Sequence, residues 1–156
     1  MAEGSIVIRK ARLSDVKEIQ HLINFYADRG EMLPCSLSEL YERVRDFFIY
    51  EDRGEIVGVC ALHVSWEDLG EIRSLAVKEP HIRRGIGTEL AKACLEEASS
   101  LGIKKIFALT YKPDFFRRLG FEVVDKSKLP QKIWTDCIKC VKFPECDEMA
   151  VILERD

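Results

Sequence analysis

Apolar positions change their period along the chain, and the changes divide it into elements. Residues 5–10, SIVIRK, alternate apolar and polar and predict a strand. In LSDVKEIQHLINFYADRG, Val16, Ile19, Leu22, Ile23 and Tyr26 recur every three or four positions, which predicts a helix. Asp15 and Glu18 are spaced as its capping box, and Gly30 is placed to stop it. SLSELYERVRDFF predicts a second helix, opened by Ser36 and Glu39, with Leu37, Leu40, Tyr41, Val44, Phe47 and Phe48 on one face. FIYEDRGEIVGVCALHV then switches to period two and predicts two strands turning at Asp52-Arg53-Gly54. A strand at 71–77 follows, then a helix from Gly85 to Leu101 on Ile86, Leu90, Ala93, Cys94, Ala98 and Leu101. Beyond Gly102 come the strand KKIFALT, the short helix KPDFFRRLG, the strand FEVV and a last strand in DEMAVILER. The order is βααβββαβαβ plus a terminal strand, an α/β pattern. Strand, helix and strand over residues 71–109 predict a right-handed crossover unit, with ligands expected at the carboxyl ends of its strands.

Composition narrows this to one soluble domain spanning residues 1–156, with no repeat or linker. A net charge of −3 gives no overall pull toward nucleic acid. No apolar run approaches the roughly 18 residues that cross a bilayer, so no membrane is expected. MAEGSIVIRK lacks the basic-then-apolar order of a secretory signal, so the expected compartment is the cytoplasm, where thiols stay reduced. Cys60 and Cys94 fall on apolar faces and are expected in the core. Cys137, Cys140 and Cys146 are spaced C-x2-C-x5-C; the first pair suits a metal hairpin, but no fourth ligand is evident, so thiols rather than a metal are expected. His21, His63 and His81 have no nucleophile partner in sequence and are expected to be structural. The basic pairs Arg83-Arg84, Lys104-Lys105 and Arg117-Arg118 would attract a multiply charged small anion if they met in space.

The stretch EPHIRRGIGTEL carries the clearest chemistry. The first amides of a helix have no partner within it, and the helix dipole adds positive charge there. Gly85 and Gly87 keep side chains out of the way, so a phosphate can reach the amides of Gly85, Ile86, Gly87 and Thr88, with Arg83 and Arg84 adding charge. A phosphate-binding P-loop is excluded because no Gly-Lys-Ser/Thr follows, and a dinucleotide fold fits poorly without the third glycine.

SLAVKEPHIRRGIGTEL followed by LTYKPDFFRRLGF resembles the GNAT superfamily of acyl-CoA-dependent N-acetyltransferases, and the element order matches across essentially the whole chain. The tail LPQKIWTDCIKCVKFPECDEMAVI, with Trp134 and the three cysteines, together with EIRSLAV, is similar to short bacterial amino-acid N-acetyltransferases of the N-acetylglutamate synthase type. The resemblance implies a mixed, mostly antiparallel central sheet with flanking helices, splayed where 71–77 meets 104–110. It implies acetyl-CoA as cosubstrate, its pyrophosphate at residues 83–88, its pantetheine arm pairing with Leu75, Ala76 and Val77, and Phe116 beside it. It implies L-glutamate as acceptor and the first step of arginine synthesis, with Ser36 as the serine that follows the first helix. Three positions depart from the pattern: Ile82 replaces a Gln or Arg, Cys35 replaces the Arg before the serine, and Phe116 replaces the Tyr that serves as general acid.

Acetyl transfer needs an amine without its proton, a polarised carbonyl and a departing thiolate. Family usage makes Glu71 the base, a backbone amide at Leu75 the polarising donor if the strand bulges there, and Tyr111 or water the replacement acid. Residues 71 and 73 share a strand face, so Glu71 and Arg73 could address the amine and a carboxylate of one acceptor, with Lys112 at the rim. The expected partner is a small amino acid, and a homodimer is left open. The alternatives are a non-catalytic acyl-CoA-sensing module, or an acetyltransferase for a different amine.

Overall fold

The computed structural model describes residues 5–82, 84–126 and 149–155. Among the described residues, seven strands form one sheet in the order β1-β2-β3-β4-β5-β7-β6. They are β1 (Ile6–Lys10), β2 (Phe47–Asp52), β3 (Glu55–Trp66), β4 (Leu69–Val77), β5 (Lys105–Thr110), β6 (Glu122–Val124) and β7 (Met149–Glu154). The helices are α1 (Val16–Ala27), α2 (Leu37–Glu42), α3 (Ile86–Leu101) and α4 (Pro113–Arg118). All pairings are antiparallel except β4–β5, which are parallel and joined by α3 as the crossover pattern requires.

The sheet is covered on both faces. One face packs Val59, Ala61 and Ala76 against Val16, Ile19 and Ile23 of α1 and Leu40 of α2. The other packs Cys60, Leu62 and Ile72 against Leu90 and Cys94 of α3 and Phe116 of α4. Cys60 and Cys94 are both fully buried, their sulfurs 3.6 Å apart. Gly58 is required where α3 crosses β3, because a Cβ there would lie 2.9 Å from Ile86 Cγ2. The β2–β3 turn has Arg53 and Gly54 at φ 55° and 79°, the left-handed pair of a tight hairpin.

Two sequence expectations fail locally. The second helix stops at Glu42; a 3-10 turn over Val44–Asp46 follows, and Phe47 and Phe48 begin β2. Helical spacing through Phe48 was produced by two adjacent aromatics that face opposite sides of a strand. Tyr41, on the expected apolar face, is exposed. Asp15 makes no side-chain cap on α1. Instead its carboxylate accepts the Arg12 amide at 2.7 Å and two bonds from Arg9, at 2.8 and 3.0 Å. The Ser36–Glu39 capping box is present.

Candidate active site

The β4–β5 ladder is short. It pairs Leu69, Gly70 and Glu71 with Lys105, Ile106 and Phe107, and stops there. Past that point β4 runs on to Val77 and β5 to Thr110 with no ladder between them, leaving a wedge whose apex is Glu71. On its other edge β4 is irregular. Arg73 faces Ala61 and Ala76 faces Val59, so Ser74 and Leu75 together oppose Cys60, and Ser74 takes φ 58°. This is a β-bulge, which re-aims the backbone of Leu75.

A cleft of about 1080 Å³ follows the wedge. Its lining includes Glu71, Arg73, Leu75, Ala76, Val77, Gly85, Ile86, Gly87, Thr88, Tyr111, Lys112 and Phe116. At one end α3 begins. Gly85 precedes it with φ 78°, a conformation glycine adopts without strain. A Cβ on Gly85 would meet nothing within 4 Å, and one on Gly87 would approach the Phe115 ring at 3.5 Å. The first turn of α3 thus lines the cleft, and its amides, which have no partner within the helix, make it a surface suited to a phosphate.

At the other end, Glu71 and Arg73 lie on the α1–α2 face of β4. Arg73 donates to Glu71 Oε1 from Nε at 3.1 Å and from Nη2 at 2.6 Å, with both side chains more than four-fifths buried. Roofing them is the segment after α1, where Met32, Leu33, Pro34 and Cys35 line the cleft. Ser74 meets the Cys35 thiol, yet burial, the larger effect, pushes that thiol above its ordinary pKa.

Other expected residues stand elsewhere. Arg83 and the tail residues Trp134, Cys137, Cys140 and Cys146 lie outside the described residues. Arg84 is exposed, pairs with Asp52 at 3.4 Å and contacts His81, and does not line the cleft. The Ser36 hydroxyl accepts the Glu39 amide at 3.1 Å and is absent from the lining. Phe116 reaches the cleft but is almost wholly buried, stacking edge-on with Phe121; Phe115 is the ring beside Gly87. Lys112 is exposed at the rim. Among the described residues the basic pairs do not converge: Lys105 sits opposite Leu69, at the closed end of the wedge, while Arg118 lines the cleft.

Two groups were missed. His63, opposite Glu71 in the sheet, is bonded through Nδ1 to Asp46 Oδ2 at 2.9 Å, and Asp46 lines the cleft. Only the strand register could have shown this pair. Tyr26, which the sequence marks only by its helical spacing, also lines the cleft, its hydroxyl donating to the Val77 carbonyl.

Comparison with known proteins agrees with this fold. Residues 13–121 match the acetyltransferase (GNAT) family. An uncharacterised N-acetyltransferase of Chlorobaculum tepidum is 38% identical over 97% of this chain and 98% of its own. An amino-acid acetyltransferase of Mycobacterium tuberculosis is 37% identical over 83% of this chain and 76% of its own. The N-acetylglutamate synthase of Neisseria gonorrhoeae, solved with coenzyme A and N-acetyl-glutamate, superposes with a TM-score of 0.88 at 26% identity, covering 97% of this chain and 35% of that one.

Proposed function

The chain belongs to the GNAT acetyltransferase family and is an acetyl-CoA-dependent N-acetyltransferase, and on that premise we propose that it acetylates the α-amine of L-glutamate by direct transfer, as the first step of arginine synthesis. Residues 1–156 are read as one such domain. The observation that carries the reading is the wedge between β4 and β5, with an amide-lined turn at its mouth and Glu71 with Arg73 at its apex. The glutamate assignment draws support from the relatives, through the name of the mycobacterial one and the product bound to the gonococcal one.

Acetyl-CoA supplies the activated thioester carbonyl that an amine attacks. We assign the amides of Gly85 to Thr88 to its pyrophosphate, and the β4 edge at Leu75 to Val77 to its arm. The groups present fit: a Cβ on Gly87 would fill the space beside Phe115 and Leu75, and the strand edge beyond Glu71 has no β5 partner. Ala76 contributes through its position, since its register with Val59 turns its own backbone groups toward β3. The Leu75 amide, displaced by the bulge, is assigned to polarise the carbonyl, a contribution of about 3 kcal/mol for one preorganised donor.

Glu71 is assigned to take the amine proton, directly or through water. Arg73 orients that carboxylate and, with Lys112 at the rim, meets the acceptor's own carboxylate. Tyr111, half-buried in the lining, is assigned to return a proton to the leaving sulfur. A thiol leaves readily, so this last role has the smallest effect on rate.

One observation favours a second acceptor class. Among the described residues, the acceptor end of the cleft carries Glu31, Glu39, Glu42, Asp46 and Glu71 against Arg43, Arg73 and Lys112. That acidic balance suits an amine with less negative charge than glutamate. Thiol release from acetyl-CoA across a panel of amino acids separates the two readings. Turnover on glutamate supports the first, and turnover confined to neutral or cationic amines supports the second. Coenzyme A binding with no turnover on any amine would overturn the assigned chemistry.

A further inference from the structure

Val77 ends β4 with its own amide and carbonyl turned away from β3. The Lys78 amide donates to the Val57 carbonyl at 2.8 Å, which makes Gly58 and Val77 a wide pair of the antiparallel ladder. In such a pair neither residue bonds the other, so both backbone groups of Val77 face the wedge. The carbonyl nevertheless has a partner, the Tyr26 hydroxyl.

Tyr26 stands in the last turn of α1 and reaches the carbonyl from the helix-covered face, packed on the cluster that holds Val59 and Ala76. A carbonyl oxygen accepts two bonds, so the direction in the plane of the sheet stays open to the wedge. The phenol is held from several sides. Phe25 stacks edge-on at 5.1 Å, and Arg29, one turn later, pairs with Glu79 at 2.7 Å just past the end of β4. Burial, and after it the Glu79 charge, pushes the Tyr26 hydroxyl above its usual pKa, so it keeps its proton and remains a donor. The Tyr26 carbonyl accepts the Arg29 and Glu31 amides, each at 3.1 Å, and so starts the segment that roofs the acceptor end.

We infer that Tyr26 is a positioning residue for the cosubstrate: by holding the Val77 carbonyl from the α1 side, it fixes the strand edge on which the pantetheine arm pairs. The inference rests on the proposed reading that the arm runs along Leu75 to Val77. It adds a side chain to a site otherwise assigned to backbone.

The test is calorimetric titration of the full chain with coenzyme A in two variants. Tyr26→Phe keeps the ring and its contact with Phe25 and removes one donor. Val77→Pro removes an amide hydrogen that faces the wedge and no bond to β3. The expected result is about a three- to ten-fold rise in Kd for Tyr26→Phe, the range for one net hydrogen bond, and a rise for Val77→Pro as well. A residue that only supports folding would lower the fraction of competent protein, read from the stoichiometry and circular dichroism, and leave Kd unchanged. An unchanged Kd in Tyr26→Phe overturns the inference; if Val77→Pro still binds weakly, the strand-edge reading survives it. An unchanged Kd in Val77→Pro overturns both.

Discussion

Arg73 places two donors on a single oxygen of Glu71, Nε at 3.1 Å and Nη2 at 2.6 Å, across the two-residue step that puts both on one strand face. The pair sits where β4 and β5 part. On the proposed reading, an acceptor carboxylate arriving there meets an arginine already engaged, and its amine meets a carboxylate already oriented. Binding the acceptor thus exchanges one charge-assisted contact for another instead of desolvating a lone charge.

Glu71→Gln should therefore lower kcat/KM about 100-fold at pH 7, the lower range for loss of a general base. The deficit should shrink as pH rises, because a growing share of the α-amine then lacks its proton without help from a base. Rate profiles of both proteins from pH 6 to 9.5 measure this. A deficit that stays constant with pH removes Glu71 from the role.

Gly58→Ala should disturb the anion end from a distance. The added methyl would sit 2.9 Å from Ile86 Cγ2 and 3.0 Å from Leu90 Cδ1, both in the first turns of α3. Relief moves the helix start off the sheet, at a cost of about 1–3 kcal/mol for overpacking. Urea unfolding and coenzyme A titration should show lower stability and weaker binding together.

Asp15 ties β1 to the start of α1 through Arg9 and the Arg12 amide. The Arg9 bonds, the largest influence, hold its carboxyl below the ordinary value. A depressed carboxyl contributes stability that is whole above the unfolded pKa of about 3.9 and fades as pH falls through the folded one. Asp15→Asn should cost about 2 kcal/mol at pH 7 and progressively less below pH 4. Thermal melts of the two proteins against pH should converge in acid.

Cys35 lies in the acceptor end, but its thiol is pushed up by burial, so little thiolate exists at neutral pH. Alkylation by iodoacetamide should be slow at pH 7 and accelerate above pH 9, read by peptide mass. Incubation with acetyl-CoA alone should leave the Cys35 peptide unacetylated. An acetylated peptide would replace direct transfer with a two-step route.

Much of the architecture was legible because α1, α3 and the Asp52-Arg53-Gly54 turn each carry local chemistry that agrees with their place in the fold. Gly85 and Gly102 bracket α3 at left-handed angles, as their positions suggested. The second helix was misread because Phe47 and Phe48 satisfy either period, and burial on two faces of β2 decides between them only once the sheet exists. The cleft itself was partly legible. Glu71, Arg73 and the Gly85–Thr88 turn are near one another in a short span, whereas Asp46 with His63 and Tyr26 with Val77 depend on pairing across 17 and 51 residues. Arg84 shows the opposite limit: its charge was visible, but not the Asp52 that engages it from the hairpin.

The three residue pairs joining β4 to β5 make the sheet a folded leaf, with β1 to β4 as one half and β5, β7 and β6 as the other. Beyond those three pairs no β4–β5 rung ties the halves together. On the proposed reading, a bound arm supplies the missing rungs and is a structural member of the protein as well as its reagent. The melting temperature should climb with coenzyme A concentration in step with occupancy, and the two halves should stiffen as one.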